Sequence, residues 1–200
     1  MSEGINGSSV LELTYGRTRC FLVHRKLLID TDWAGSFNKF LKCIRGKNVS
    51  MQEIQYLLVT HYHPDHMGIA AELMERGTKL LVMDVQKDFV HQADPVFAKD
   101  RRNPFKPIPE EQAVILKCAE SRRFLNSIGI EGEIIATPGH SEDSISLILD
   151  EEKMAFVGDI PPLEQIECYQ NAVLGESAAS ILQHEVRILY HSHWPDEWIR

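Results

Sequence analysis

An apolar run that ends in a cluster of histidines constrains this chain more than any other feature of its sequence. Residues 54–60 read I-Q-Y-L-L-V-T, a pattern that favours a buried strand. The stretch T-H-Y-H-P-D-H-M-G, residues 60–68, follows directly and holds three of the chain's nine histidines together with an aspartate. A fold that accommodates both features has to gather imidazoles and a carboxylate at the end of one buried strand.

The spacing within this cluster predicts a metal site. Side chains at i and i+2 of extended backbone point to the same side, so His61 and His63 can face one point beyond the strand. Pro64 suits a helix start, and Asp65 and His66 then fall where the chain turns and can aim a second pair of ligands nearby. A divalent cation would offset the repulsion among these groups, and neutral imidazole and carboxylate suit zinc, iron or manganese.

Composition indicates an ordinary globular protein. The 200 residues are 44% hydrophobic and 25% charged, and we predict a single domain spanning residues 1–200. The net charge of −8 argues against binding to a phosphate backbone, so no nucleic-acid partner is expected. It does not exclude a small anionic substrate, since a local site can be cationic.

The sequence also predicts where the chain resides. No basic segment followed by an apolar run begins the sequence, and no apolar stretch approaches the length of a membrane span. We therefore expect a cytoplasmic protein with no membrane association. The four cysteines are scattered without a C-x-x-C pair, which predicts reduced, mostly buried thiols and no cysteine metal site.

Hydrophobic periodicity predicts strands and helices in both halves of the chain. Four prolines predict an irregular segment at residues 92–109. Strands are predicted at residues 10–15, 19–24, 26–30, 54–60, 79–83, 133–137, 144–149, 153–157 and 187–191, and helices at 36–44, 66–76, 84–91, 110–128, 164–169 and 176–187. Strand and helix runs in both halves favour packed layers with helices outside, although propensity alone leaves several α/β topologies open.

Five motifs in a fixed order make the chain resemble the metallo-β-lactamase superfamily of metallohydrolases. The H-x-H-x-D-H motif follows a strand, as it does in that family. An acidic turn lies upstream and three further motifs lie downstream. They are L-I-D-T at 28–31, T-P-G-H at 137–140, G-D at 158–159, and a final histidine near 193.

The resemblance implies a four-layer αββα sandwich in the α/β (α+β) class, with two divalent metals at one edge of the sheets. It implies that Asp159 bridges the metals and that Asp30 orients a ligand imidazole. His191 and His193 both lie near the last ligand position, and the resemblance favours His193. The implied ligands are His61, His63 and His140 for one metal, and Asp65, His66 and His193 for the other.

These features lead to a hypothesis of function. We expect a metal-dependent hydrolase in which a hydroxide shared by two metals cleaves an ester, thioester, lactone or phosphoester of a small molecule. Zinc is the expected metal, and iron and manganese are the alternatives. Asp65 is the candidate catalytic residue, because it could hold that hydroxide and receive its proton. The chain ends at Arg200 without the C-terminal helical domain of larger members, so a glutathione thioester is not expected. Two alternatives stay open: a mononuclear-iron enzyme resembling persulfide dioxygenases, and a non-catalytic binding protein with the same fold.

The irregular segment 92–109 allows two interpretations. It carries the cations Lys99, Arg101, Arg102 and Lys106, with two phenylalanines interleaved. Long loops in compact domains are often functional, so the segment could be a lid that contacts an anionic substrate. It could equally be a solvated connection.

Overall fold

A computed structural model describes residues 9–199 of the chain. Residues 1–8, where the absence of a secretory signal is predicted, lie outside this range. The first half of the described chain forms a six-stranded sheet in the order β1-β2-β3-β4-β5-β6. Its first three strands are antiparallel and its last three continue in parallel. The strands are β1 (Val10–Leu13), β2 (Cys20–Val23), β3 (Leu27–Ile29), β4 (Tyr56–Leu58), β5 (Lys79–Met83) and β6 (Val114–Leu116).

The second half forms a five-stranded sheet in the order β11-β10-β9-β8-β7. Strands β9 and β10 run in parallel, and the other neighbouring pairs are antiparallel. The strands are β7 (Gly132–Ala136), β8 (Ile145–Leu149), β9 (Met154–Gly158), β10 (Ile188–His191) and β11 (Glu197–Trp198).

Helices connect the strands and cover both sheets. The α-helices are α1 (Phe37–Gly46), α2 (Pro64–Met67), α3 (Ala70–Met74), α4 (Asp94–Phe97), α5 (Ser121–Ser127) and α6 (Ala172–Leu182). Short 3₁₀ helices occupy Met51–Glu53, Asp84–Phe89, Glu110–Gln112, Cys118–Glu120 and Leu163–Tyr169.

Alternating side chains of the strands build the layers. In β2, Phe21 packs between the two sheets, whereas its neighbour Leu22 packs under α1 and α3 on the outer face. The second sheet meets the first through residues such as Leu147, and Ile148 turns to the opposite face under α6. Successive side chains of a strand point to opposite faces, so nearly continuous apolar strands fill the layers on both sides. The predicted αββα sandwich is confirmed.

The helix predicted at 110–128 is wrong. Residues Val114–Leu116 instead form β6, which pairs in parallel with β5, and an α-helix starts only at Ser121. In β6, Val114 and Leu116 pack on the core between the sheets while Ile115 is exposed. Pairing with the open edge of β5 satisfies its backbone N–H and C=O groups, and Val114 and Leu116 become partly buried. Together these gains outweigh the helical propensity of this short segment.

Four other predicted segments differ in detail. The helix predicted at 66–76 starts earlier, at Pro64, and is interrupted at Gly68, where a Cβ would lie 2.3 Å from the Ala34 nitrogen. The segment 84–91 forms a 3₁₀ helix over Asp84–Phe89, and the irregular segment 92–109 contains the short helix α4. The helix predicted at 176–187 begins and ends a few residues earlier, as α6.

The cysteines are less buried than predicted. All four thiols are free, but only Cys20 is buried; Cys43 and Cys118 are half-buried and Cys168 is exposed. Among the helices of residues 9–199, none is long and apolar enough to cross a bilayer.

Candidate metal centre

Three imidazole nitrogens converge at the edge where β4 ends. His61 and His63 follow β4, and His140 lies in the loop between β7 and β8. His61 Nε2 lies 3.0 Å from His63 Nδ1, which lies 3.1 Å from His140 Nε2. These nitrogens lie within 4.8 Å of one another, close enough to share one cation.

A second group lies beside the first. Asp65 and His66 stand on α2, and His193 follows β10. His193 Nε2 lies 3.1 Å from Asp65 Oδ2, and His66 Nε2 lies 3.9 Å from Asp65 Oδ1. The helix turn after Pro64 therefore directs these two ligand candidates away from the direction taken by His61 and His63.

Asp159 lies between the two groups, just beyond the end of β9. Its Oδ2 is 3.5 Å from His140 Nε2 and 3.9 Å from His61 Nε2. Its Oδ1 is 3.4 Å from His66 Nε2 and 3.5 Å from His193 Nε2. One carboxylate thus offers one oxygen to each group, the arrangement that a bridging ligand requires.

Asp30 holds His66 in the orientation that a ligand needs. The Asp30 carboxylate is fully buried, and its Oδ2 lies 2.9 Å from His66 Nδ1. It also accepts hydrogen bonds from Thr60 N, Thr60 Oγ1 and Ser192 Oγ at 2.7, 2.8 and 3.1 Å. Because Nδ1 donates to Asp30, Nε2 is the atom of His66 that faces Asp159 and is placed to bind a cation.

Thr60 links Asp30 to His61 through hydrogen bonds. Its hydroxyl donates to Asp30 and lies 3.2 Å from His61 Nδ1, so its oxygen can accept a hydrogen bond from the Nδ1–H of that ring. The unprotonated nitrogen of His61 is then Nε2, and its lone pair faces His63 and His140. A single buried carboxylate therefore orients two of the candidate ligands.

Two of the buried atoms that lack hydrogen-bond partners lie between the two groups and fit a cation. Among the described residues, His66 Nε2 and Asp159 Oδ1 are buried without a partner. A polar atom buried in this way is costly unless a ligand satisfies it. Nitrogen and carboxylate oxygen donors at this spacing suit zinc, iron or manganese.

Electrostatics at the centre also favour a cation. Burial lowers the pKa of His66, but the Asp30 and Asp159 carboxylates offset it and raise that pKa to about 10. Burial and the neighbouring imidazoles hold the pKa of His61 well below its usual value. Burial raises the pKa of Asp65, but His193 more than offsets it and brings that pKa to about 2. The carboxylates thus favour a positive charge at His66, which a proton supplies in the absence of metal and which a bound cation would supply in its place.

The structure separates the two candidates for the last histidine. His193 lies in the second group, whereas His191 is buried and its Nδ1 donates to the Ile160 carbonyl at 2.7 Å. His191 Nε2 lies 3.5 Å from Glu197 Oε2. The remaining three histidines pair with carboxylates outside the two groups, His24 with Glu152, His91 with Asp94, and His184 with Glu133.

Sequence reasoning missed three residues that support the centre. Asp143 accepts from the Tyr62 nitrogen, between His61 and His63, and from Ser141 Oγ beside His140, both at 2.7 Å. Gln86 is buried and donates to the carbonyls of Val59 and Asp143. Their sequence signal is weak, because each is an ordinary polar residue whose role depends on distant parts of the chain.

Arg19 is the third missed residue, and it joins the two sheets at the edge of the centre. Its Nη1 donates to the carbonyls of His191 and Trp194 at 3.2 and 2.7 Å, on either side of His193. Its backbone nitrogen donates to the Ser192 carbonyl at 2.9 Å. Glu12 and Asp196 hold its guanidinium in place. Arg19 therefore fixes the loop that carries His193.

Gly158 is expected to be irreplaceable at the turn into Asp159. Its φ is +58°, and an added Cβ would lie 2.6 Å from Thr60 Oγ1. Gly158→Ala is expected to destabilise the protein by about 3 kcal/mol, from left-handed strain and the clash, measured by chemical denaturation. Gly77→Ala is the matched control, since φ there is +95° and no atom lies within 4 Å. Equal losses in the two variants would contradict a role for the Thr60 contact.

The chain matches the family model of the metallo-beta-lactamase superfamily over residues 13–169. The chain therefore belongs to this superfamily, and the resemblance seen in its motifs is confirmed.

The chain is also similar in sequence to curated relatives and in fold to a solved structure. The chain is 26% identical over 163 residues to the lactamase-like protein nscB of Trichophyton rubrum, covering 79% of this chain and 39% of that protein. It is 27% identical over 156 residues to an atrochrysone carboxyl ACP thioesterase of Aspergillus fumigatus, covering 74% of this chain and 30% of that protein. The chain thus spans well under half the length of these relatives. The crystal structure of TTHA1623 in a di-iron-bound form has a similar fold, with a TM-score of 0.70, 18% identity, and coverage of 94% of this chain and 93% of that one.

Proposed function

We propose that the protein is a metal-dependent hydrolase that cleaves an ester or thioester of a small molecule, with lactones and phosphoesters as further candidates. The observation that carries this proposal is Asp159, which offers one oxygen to each of two ligand groups and keeps Oδ1 buried without a partner. Members of the superfamily bind divalent metals. Thioesters come first because one relative is named a thioesterase.

In this proposal, seven side chains hold two divalent cations, with zinc expected and iron or manganese as alternatives. Bound cations would lower the pKa of a water and polarise the carbonyl that it attacks. The ligands are His61, His63 and His140 for the first cation, Asp65, His66 and His193 for the second, and Asp159 for both.

Asp65 is the proposed catalytic residue. Its carboxylate is partly exposed, borders an open pocket, and is ionised at neutral pH because its pKa is held near 2, with His193 lowering it against the effect of burial. It can therefore accept a hydrogen bond from the attacking water and orient that water towards the substrate. The Thr18 hydroxyl donates to the Asp65 carbonyl at 2.7 Å and fixes the backbone that carries this side chain.

The proposal is tested by metal content and chelation. Protein purified without added metal is expected to hold about two equivalents of divalent metal per chain, measured by mass spectrometry of the digested sample. A chelator is expected to abolish hydrolysis of nitrophenyl esters and simple thioesters, and restored metal to return it. Iron together with oxygen consumption would favour the persulfide dioxygenase reading instead. Absence of chelator-sensitive turnover across esters, thioesters, lactones and phosphodiesters would favour a binding protein.

A further inference from the structure

A cavity of about 430 Å³ borders the proposed metal centre at Asp65. Its walls come from the turn between β1 and β2, from the segment that leads into α1, and from Asn103 of the loop at 92–109. The Thr18 hydroxyl bonds the Asp65 carbonyl, so this turn lies directly against the centre. A molecule whose reacting bond lies at the centre can therefore place its remainder in this cavity.

Two unpaired cations line the cavity of this acidic protein. Arg17 belongs to the turn between β1 and β2, and Lys39 to the first turn of α1. Both are exposed, and neither makes an ion pair within residues 9–199, whereas Arg19, Arg25 and Arg122 each bind a carboxylate. Cations left free at a cavity are available to an anion.

The start of α1 adds to the positive potential. This helix has ten residues, begins next to the cavity-lining Ser36, and carries no acidic residue in its first turn. The N-terminus of a helix attracts anions through its dipole and its free N–H groups. Ser36 makes no capping hydrogen bond, and its hydroxyl is buried in the cavity wall without a partner among the described residues.

Two carboxylates also line the cavity: Asp65 lies where it borders the metal centre, and the other, Asp32, is buried and bound by backbone amides. Its Oδ2 accepts from the Arg17 nitrogen and its Oδ1 from the Trp33 nitrogen, both at 2.6 Å. Both carboxylate oxygens of Asp32 therefore bind backbone amides. Trp33 supplies an apolar wall whose ring is fixed by a 2.9 Å bond from Nε1 to Asp100 and an edge contact with Phe97.

We propose that this cavity binds an anionic terminus, a carboxylate or a phosphate, of the molecule whose ester or thioester is cleaved, and that Arg17 and Lys39 select it. This proposal rests on the proposed function. It also assigns the contact with an anionic substrate to Arg17 and Lys39 instead of the cations of segment 92–109. In that segment Lys106 pairs with Glu75, and Arg101 borders a separate pocket. Its two aromatic side chains, Phe97 and Phe105, stack on each other. The lid hypothesis itself stays a prediction.

Matched thioesters test the proposal on the metal-loaded protein. Succinyl and butyryl thioesters of N-acetylcysteamine differ by a carboxylate on the acyl side. Butyryl thioesters of phosphopantetheine and pantetheine differ by a phosphate on the thiol side. We expect kcat/KM to favour the anionic member of at least one pair by about tenfold or more, through KM. The pair that shows the preference identifies which side of the substrate carries the anion.

Variants assign that preference to the two cations. In the double variant Arg17→Ala/Lys39→Ala, the ratio of kcat/KM between the anionic and neutral members is expected to fall close to one. Arg45→Ala is the matched control, since it removes one exposed cation from the last turn of the same helix and should keep the ratio. A ratio near one for both pairs in the wild type, or an unchanged ratio in the double variant, would overturn the proposal.

A binding measurement separates this proposal from the proposed function. Thioether analogues of the same pairs, in which a methylene replaces the thioester carbonyl, are titrated calorimetrically into the wild type and the double variant. Tighter binding of an anionic analogue, lost in the double variant, would support the anion site even if no thioester is hydrolysed. Equal binding of all analogues, together with chelator-sensitive hydrolysis, would leave the hydrolase proposal standing and overturn the anion site.

Discussion

Asp159→Asn is expected to abolish hydrolysis, with kcat/KM falling by at least about 10³-fold, and to release metal. The amide keeps the volume of the side chain but loses the charge that both ligand groups share, and it offers one oxygen where two are needed. Loss of several kcal/mol of transition-state stabilisation corresponds to a rate decrease of this order. Metal content by mass spectrometry and thioester turnover at saturating metal are the two measurements.

The control for this variant is Asp88→Asn, which removes an exposed carboxylate from the 3₁₀ helix Asp84–Phe89 and should leave metal content and turnover unchanged. Full metal occupancy in Asp159→Asn would refute the bridging role. Occupancy by one equivalent with residual turnover would point to a catalyst that needs one cation.

Asp30→Asn is expected to weaken metal binding by about 10- to 100-fold and to lower the free energy of unfolding by about 2–3 kcal/mol. Asn tolerates the φ of +57° at this position, so the change tests charge and hydrogen bonding more than backbone strain. The amide has one acceptor oxygen for the four donors that Asp30 now satisfies, and it no longer fixes the tautomer of His66.

Metal titration followed by calorimetry or fluorescence gives the affinity, and denaturant unfolding of the chelated protein gives the stability. Asp143→Asn serves as a comparison, because that buried carboxylate holds the backbone at Tyr62 and the Ser141 hydroxyl without touching an imidazole. If both variants destabilise but only Asp30→Asn weakens metal binding, the orienting role is supported. Unchanged metal affinity in Asp30→Asn would contradict it.

The part of the centre that could be predicted from the residues alone is the part whose residues lie close together in the sequence. His61, His63, Asp65 and His66 fall within six residues, so strand and turn geometry alone bring them together. His140, Asp159 and His193 could be joined to them only through the family resemblance, because their distance from the cluster depends on how two sheets pack. The αββα layers were predicted on the same ground and are confirmed.

The missed features depend on contacts between distant segments. Strand β6 is a three-residue run whose partner β5 lies about 30 positions upstream, so its periodicity gives no sign of the pairing. Arg19 acts on a loop more than 170 positions away, and a lone arginine just before a strand carries no pattern. The cavity at Arg17 and Lys39 joins a turn to a helix start, and neither segment is unusual by itself.

The division of the ligand candidates between the two sheets has a thermodynamic consequence. His61 to His66 belong to the half of the chain that builds the first sheet, whereas His140, Asp159 and His193 belong to the half that builds the second. A cation held by both sets would cross-link the halves and bind only the folded chain. At a free concentration 1,000 times its Kd, such a cation would stabilise the fold by about 4 kcal/mol. Metal supply would then set the lifetime of the folded protein as well as its rate of catalysis.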